Sequence, residues 1–143
     1  MDKDNQSAMA GGIDTSRLSI EVAGSCSRCA SGADKLVKAL ADEIASRRLG
    51  HQVLAAPGVC RGLCSAAPIL IVWPQGTLYC RVKESDLGEI LEAALDGRTV
   101  KRLLYEEPPQ HQAIARMADL PFFSKQVRIA LRNCGVIDPQ SID

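Results

Sequence analysis

A chain of 143 residues with 46% apolar content accommodates one domain of ordinary size with a modest core and a short appendage. Seventeen Lys plus Arg balance seventeen Asp plus Glu, so the chain lacks the positive field with which nonspecific nucleic-acid binders neutralise phosphates; aromatics, at 3%, offer few platforms for stacked bases. No apolar run of about 18 residues is available to cross a bilayer, and the acidic, polar start MDKDNQSAMAGGID lacks the basic-then-apolar order of a secretory signal.

These exclusions predict a cytoplasmic chain with no nucleic-acid partner and no membrane insertion. In that reducing compartment structural disulfides are disfavoured, and six cysteines point to metal binding or thiol chemistry.

Residues 1–16 show no apolar period and read as a disordered tail. In RLSIEVAG, Leu18, Ile20 and Val22 alternate, which is the period of a strand with one face in a core. CSRC follows, contributing Cys26 and Cys29. Ser31 and Asp34 have the form of a capping box, and Ala33, Leu36, Val37, Leu40, Ile44 and Ala45 recur at helical spacing, predicting a helix over residues 32–49 that ends near Gly50. HQVLAA predicts a short strand leading into PGVCRGLCSAAP, where Pro57, Gly58 and Gly62 favour turns and leave backbone N–H groups free to face inward.

PILIVW predicts the next strand, and Pro68 precedes it without removing a ladder donor. The short connection over residues 74–76 makes TLYCRV its antiparallel partner. A second helix is expected next, capped by Asp86 or Ser85, with Leu87, Ile90, Leu91, Ala94 and Leu95 as its apolar stripe and Gly97 as its stop. Strand, helix, strand, cysteine loop, hairpin and helix predict an α/β, thioredoxin-like architecture, a small mixed sheet of about four strands covered by two helices. VKRLLYEEPPQHQ reads as a Pro/Gln linker, followed by a short helix over residues 114–119. The stretch FFSKQVRIALRNCG then places Phe123, Val127, Ala130, Leu131 and Cys134 near one side. The expected organisation is a tail over 1–16, a thioredoxin-like domain over 17–104, and over 105–143 a linker with the truncated start of another module.

Cys26, Cys29, Cys60 and Cys64 form two close pairs in loops that follow the first two predicted strands. Four thiolates without histidine suit zinc or an iron-sulfur cluster. A [2Fe-2S] rhomb takes two ligands per iron from two loops, and glycine-rich N–H donors offset its negative charge. Zinc knuckles use similar pairs, usually in domains too small to stand without metal. CSRC alone, between a strand and a helix N-terminus and with Arg28 inside it, also has the form of a reactive dithiol, and buried packing thiols are a further reading. Cys80 and Cys134 sit in apolar patterns and read as packing residues. His51 and His111 have no acidic or cysteine partner in a recognisable motif, and no GxSxG elbow is present.

CSRCASGADKLVKAL followed by GVCRGLCSAAPILIVWPQGTLYCRV resembles the thioredoxin-like [2Fe-2S] ferredoxin domain at the N-terminus of flavoprotein subunits in NAD(P)-reducing hydrogenases and related enzymes. LPFFSKQVRIALRNCGVIDPQSID resembles the opening of the flavin module in those subunits, shared with the NADH-binding subunit of respiratory complex I and the beta subunit of NAD-dependent formate dehydrogenase. The resemblance implies that Cys26, Cys29, Cys60 and Cys64 ligate one [2Fe-2S] cluster acting as a one-electron relay in an NAD(P)-linked flavoprotein oxidoreductase. Its partners would be other subunits of a redox complex; FMN, NAD(P) and a [4Fe-4S] cluster would belong to the longer subunit. The first pair, at x2, stands closer than in most such relatives. A cluster-free or zinc-bound scaffolding domain for subunit docking, and a CxxC thiol-disulfide oxidoreductase, are the alternatives.

Overall fold

In the computed structural model the described residues are 17–23, 32–109, 111–127 and 129. Strand β1 (Leu18–Ala23) alternates as expected: Leu18, Ile20 and Val22 face one apolar cluster, while Ala23 joins a second on the opposite face. Helix α1 (Ala33–Ser46) buries Ala33, Leu36, Leu40 and Ile44. It follows Gly32, at φ 71, with no side-chain cap; Ser31, the expected capping residue, lies outside the described residues.

The helix stops at Ser46, before the expected 49, because Arg48 takes a left-handed φ of 58. Arg48 N–H then donates to the Ala45 carbonyl at 3.0 Å and Leu49 N–H to that of Ile44 at 2.9 Å, closing a Schellman motif. Gly50 has no part in the stop.

Strand β2 (Val53–Pro57) runs parallel to β1; β3 (Ile69–Trp73) is antiparallel to β1, and β4 (Thr77–Cys80) is antiparallel to β3. The sheet is mixed and four-stranded, as expected, and its strands stand in the order β2-β1-β3-β4. All five residues of β3 are buried, as a central strand covered on both faces requires. The Ala67–Pro68 bond ahead of it is cis.

Helix α2 (Leu87–Leu95) covers the same face as α1. Its entry is a 3-10 turn, Glu84–Asp86, in which Lys83 N–H donates to Asp86 Oδ2 at 2.8 Å; no side chain caps α2 itself. Gly97, at φ 66, terminates it as expected. Leu95 leaves the predicted stripe and is 36% exposed, while Ala93 is buried instead. The face beneath the helices gathers Ile20, Val22, Leu70, Val72 and Tyr79.

The second face decides the fate of the segment read as a linker. After a 3-10 turn, Lys101–Leu103, strands β5 (Tyr105–Glu107) and β6 (Gln112–Ile114) pair as a hairpin. A second 3-10 turn, Met117–Asp119, then leads into the short helix α3 (Pro121–Ser124). Residue 114 therefore ends a strand and starts no helix. Two demands of the sheet explain the difference. The outer edge of β4 needs partners, and Leu78 N–H donates to the Ala115 carbonyl at 2.8 Å while Met117 N–H donates to that of Gly76 at 3.0 Å. The apolar face of Ile69, Ile71, Trp73, Leu78 and Cys80 needs cover, and Met117, Leu120 and Phe123 supply it. Val127, expected beside Phe123, is 84% exposed; Ala130, Leu131 and Cys134 lie outside the described residues. No described helix is long and apolar enough to cross a membrane.

Candidate functional site

Because β1 and β2 are parallel neighbours with Val22 opposite Pro57, both strands end at one edge of the sheet. Each cysteine pair begins three residues beyond such an end, Cys26 after Ala23 and Cys60 after Pro57. Cys26 and Cys29 lie outside the described residues. Cys60 and Cys64 lie within them.

The pairing of β1 and β2 continues one step into the loop, where Gly58 N–H donates to the Val22 carbonyl at 2.8 Å. Gly62, at φ 77, turns the chain between the two cysteines, a conformation that favours glycine. A 3-10 turn, Cys64–Ala66, returns it to the sheet. Leu63 and Ala66 drop into the second apolar cluster, and the Ala66 and Pro68 carbonyls accept from Arg81 and Val82 N–H at 2.9 and 3.2 Å. These anchors leave Cys60 and Cys64 exposed on a loop with a fixed base. Both line a shallow recess with Ala23, Gly62, Leu63 and Ile69.

Glu21 holds the underside of that loop. It projects from β1 on the face of Trp73, and its carboxylate accepts from Arg61 Nη2 at 2.8 and 3.0 Å, Trp73 Nε1 at 3.0 Å and Val59 N–H at 3.2 Å. The Glu21 and Arg61 side chains are only 12% and 11% exposed. Arg61 Nε is buried and has no hydrogen-bond partner among the described residues. Nor does any hydrogen bond join the backbone N–H of Cys60, Arg61, Gly62 or Leu63 to another described residue. A loop carrying two exposed cysteines, N–H groups without a partner among the described residues and a nearly buried cation has the donor chemistry and polarity to hold a soft metal centre of net negative charge.

Cys80 differs. It is 3% exposed in the second apolar cluster, and burial pushes its thiol up to about 11, so it behaves as the packing residue expected of it. His51 is exposed and bonded to Gln52. Exposed His111 stands 3.4 Å from Glu106, an acidic partner created by the unforeseen hairpin. Among the described residues no three His, Cys, Asp or Glu side chains gather to hold a metal ion. Sequence reading missed Glu21, Trp73 and Arg61 as supports of the site. The available signals were a carboxylate inside a mostly apolar strand and a cation between two close cysteines.

No family model matches the chain. A protein described as "Ferredoxin, 2Fe-2S" from Clostridium pasteurianum is 37% identical over 70 residues, which cover 48% of this chain and 69% of that protein. Another of the same description, from Aquifex aeolicus (strain VF5), is 31% identical over 90 residues, 60% of this chain and 79% of the relative. Among solved structures, the wild-type thioredoxin-like [2Fe-2S] ferredoxin from Aquifex aeolicus matches with a TM-score of 0.56 at 25% identity, covering 64% of this chain and 98% of that one. An NAD+-reducing [NiFe]-hydrogenase matches with a TM-score of 0.50 at 14% identity, over 78% of this chain and 19% of its own, a likeness of fold alone.

Proposed function

The chain belongs to the thioredoxin-like [2Fe-2S] ferredoxin family, and from that premise we propose that it is an electron-transfer protein holding one [2Fe-2S] cluster on Cys26, Cys29, Cys60 and Cys64. The observation that carries the ligand set is the shared edge at which parallel β1 and β2 end, each followed by one cysteine pair. Cys26 follows Ala23 by three residues of sequence, and Ala23 itself lines the recess with Cys60 and Cys64.

A bound [2Fe-2S] cluster supplies a one-electron couple whose potential follows net charge, hydrogen bonds to sulfur and exposure. The chain's own part is to hold thiolates in place and to surround them with compensating positive polarity. The Cys60–Cys64 loop does the first through Leu63, Ala66 and its backbone anchors. Its N–H groups, which have no partner among the described residues, and the Arg61 cation serve the second. Exposure of Cys60 and Cys64 sets the site at the surface, where a partner's redox centre has access.

The finer reading is a relay domain in an NAD(P)-linked flavoprotein subunit docked among other subunits of a redox complex. It rests on the resemblance of LPFFSKQVRIALRNCGVIDPQSID to the opening of a flavin module. On this reading FMN, NAD(P) and a [4Fe-4S] cluster bind in the longer subunit. The redox domain then extends beyond residue 104, because Met117, Leu120 and Phe123 complete its second apolar cluster.

Anaerobic reconstitution of the chain with ferrous iron and sulfide tests the proposal. It is expected to give about two irons per chain, visible absorption and a paramagnetic signal on one-electron reduction. Uptake of zinc alone, or a metal-free chain that catalyses thiol-disulfide exchange, refutes it.

A further inference from the structure

Arg61 lies between the two cysteines of the described loop, yet its guanidinium is turned to the sheet, where both oxygens of Glu21 accept from Nη2. The pair is nearly buried, and burying two charges is worthwhile for stability alone only when every polar atom is satisfied. Here one is not: Arg61 Nε has no partner among the described residues. The carboxylate is fully supplied by comparison, with Trp73 Nε1 and Val59 N–H in addition to Arg61. Ile71, a member of the second apolar cluster, stands opposite Glu21 in the β1–β3 register. Arg61 also lines the recess that holds Cys60 and Cys64. An opposed pair of charges in a poorly solvated position, one adjoining a thiolate ligand in sequence and the other locking it in place, acts on any charge change at those thiolates.

We propose that Glu21 and Arg61 form a charge-balanced pair that poises the reduction potential of the redox centre held by the Cys60–Cys64 loop, Arg61 raising it and Glu21 restraining that rise. The inference rests on the [2Fe-2S] reading. Reduction adds one negative charge at the site. A unit charge at about 10 Å, through an effective dielectric constant of about 20 to 40, changes such a one-electron equilibrium roughly four- to seventeenfold; tenfold corresponds to about 59 mV. Removing the cation therefore disfavours reduction, and removing the anion favours it. Arg61 lines the recess that holds Cys60 and Cys64, whereas Glu21 does not line it and bonds Arg61 and Val59 N–H from β1, so the cation has the larger effect.

The test is a dithionite titration of the reconstituted chain at fixed pH, followed by paramagnetic resonance, for wild type, Arg61→Gln, Arg61→Lys, Glu21→Gln and the double variant Glu21→Gln/Arg61→Gln. Arg61→Gln is expected to lower the reduction equilibrium constant at least about fourfold and Glu21→Gln to raise it by a smaller factor. The double variant falls between them, and Arg61→Lys, which keeps the charge, stays close to wild type. Unfolding midpoints of the iron-free variants report the structural contribution separately. Should Arg61→Gln fail to fold, the near-isosteric Glu21→Gln still carries the sign. Shifts of one sign, or none, in variants that keep their iron overturn the inference and leave the [2Fe-2S] reading standing. A wild-type chain that takes up no iron overturns both.

Discussion

Replacing Gly58 with alanine adds one methyl group beneath the Cys60–Cys64 loop. Gly58 has no left-handed φ, so the substitution brings no backbone penalty and isolates a steric effect. The new Cβ would stand 2.8 Å from Cδ of Glu21 and closer still to Cγ and Oε1, a contact that real structures do not sustain. Gly58 is not free to retreat, since its N–H is bonded to the Val22 carbonyl at 2.8 Å. Glu21 must yield instead, and its bonds to Arg61, Trp73 and Val59 go with it. A nearly buried guanidinium and an indole N–H then lose their acceptor, at about 1–3 kcal/mol for each unsatisfied group, and breaking a buried ion pair costs about 3–5 kcal/mol. Partial relaxation of the exposed loop places the expected loss at about 2–4 kcal/mol. Chemical denaturation of the iron-free chain measures it, with Gly50→Ala as the control, because a methyl group at Gly50 meets nothing within 4 Å. For a domain of about 100 residues this corresponds to a fall in midpoint temperature of more than about 8 °C. A Gly58→Ala chain within about 0.5 kcal/mol of wild type, matching the control, would show that the Glu21 anchor does not hold the loop.

Cys60→Ser is expected to remove more than about half of the iron retained after reconstitution, whereas Cys134→Ser leaves it near wild type, as counted per folded chain; equal losses would defeat the division between ligand and packing cysteines. Tyr79→Phe leaves the buried Val100 N–H without its 3.2 Å acceptor and should cost about 1–2 kcal/mol in denaturation with iron content unchanged. Burial holds the Cys80 thiol protonated up to about 11, so in the iron-free native chain iodoacetamide at pH 8 should label exposed Cys60 and spare Cys80, by mass mapping. The same shift carries a sign for stability. Because the folded chain keeps a proton that the unfolded chain releases, Cys80 should lower stability as pH rises from about 9 towards 11, and Cys80→Ala should flatten that slope.

Periodicity made the scaffold legible. Leu18, Ile20 and Val22 in alternation, the apolar stripe of α1 and the unbroken run ILIVW each follow from the need to bury one or two faces, which is a local property of the chain. The hairpin of β5 and β6 was not legible, because its residues are mostly exposed and its pairing answers a need that arises in β4. Helix ends divided in the same way. Gly97 announces the end of α2, while an arginine at φ 58 ends α1 under the constraint of the turn into β2.

At the site, residue type and spacing alone determined that two cysteine pairs follow two strands, and hence the class of ligand they suit. That these strands are parallel neighbours ending at one edge was settled only by the sheet, since register and strand order depend on contacts between segments distant in the chain. The Glu21–Arg61–Trp73 anchor belongs wholly to the tertiary structure: its members are separated by 40 and 52 residues, and a carboxylate gains from burial only where folding brings its donors to it.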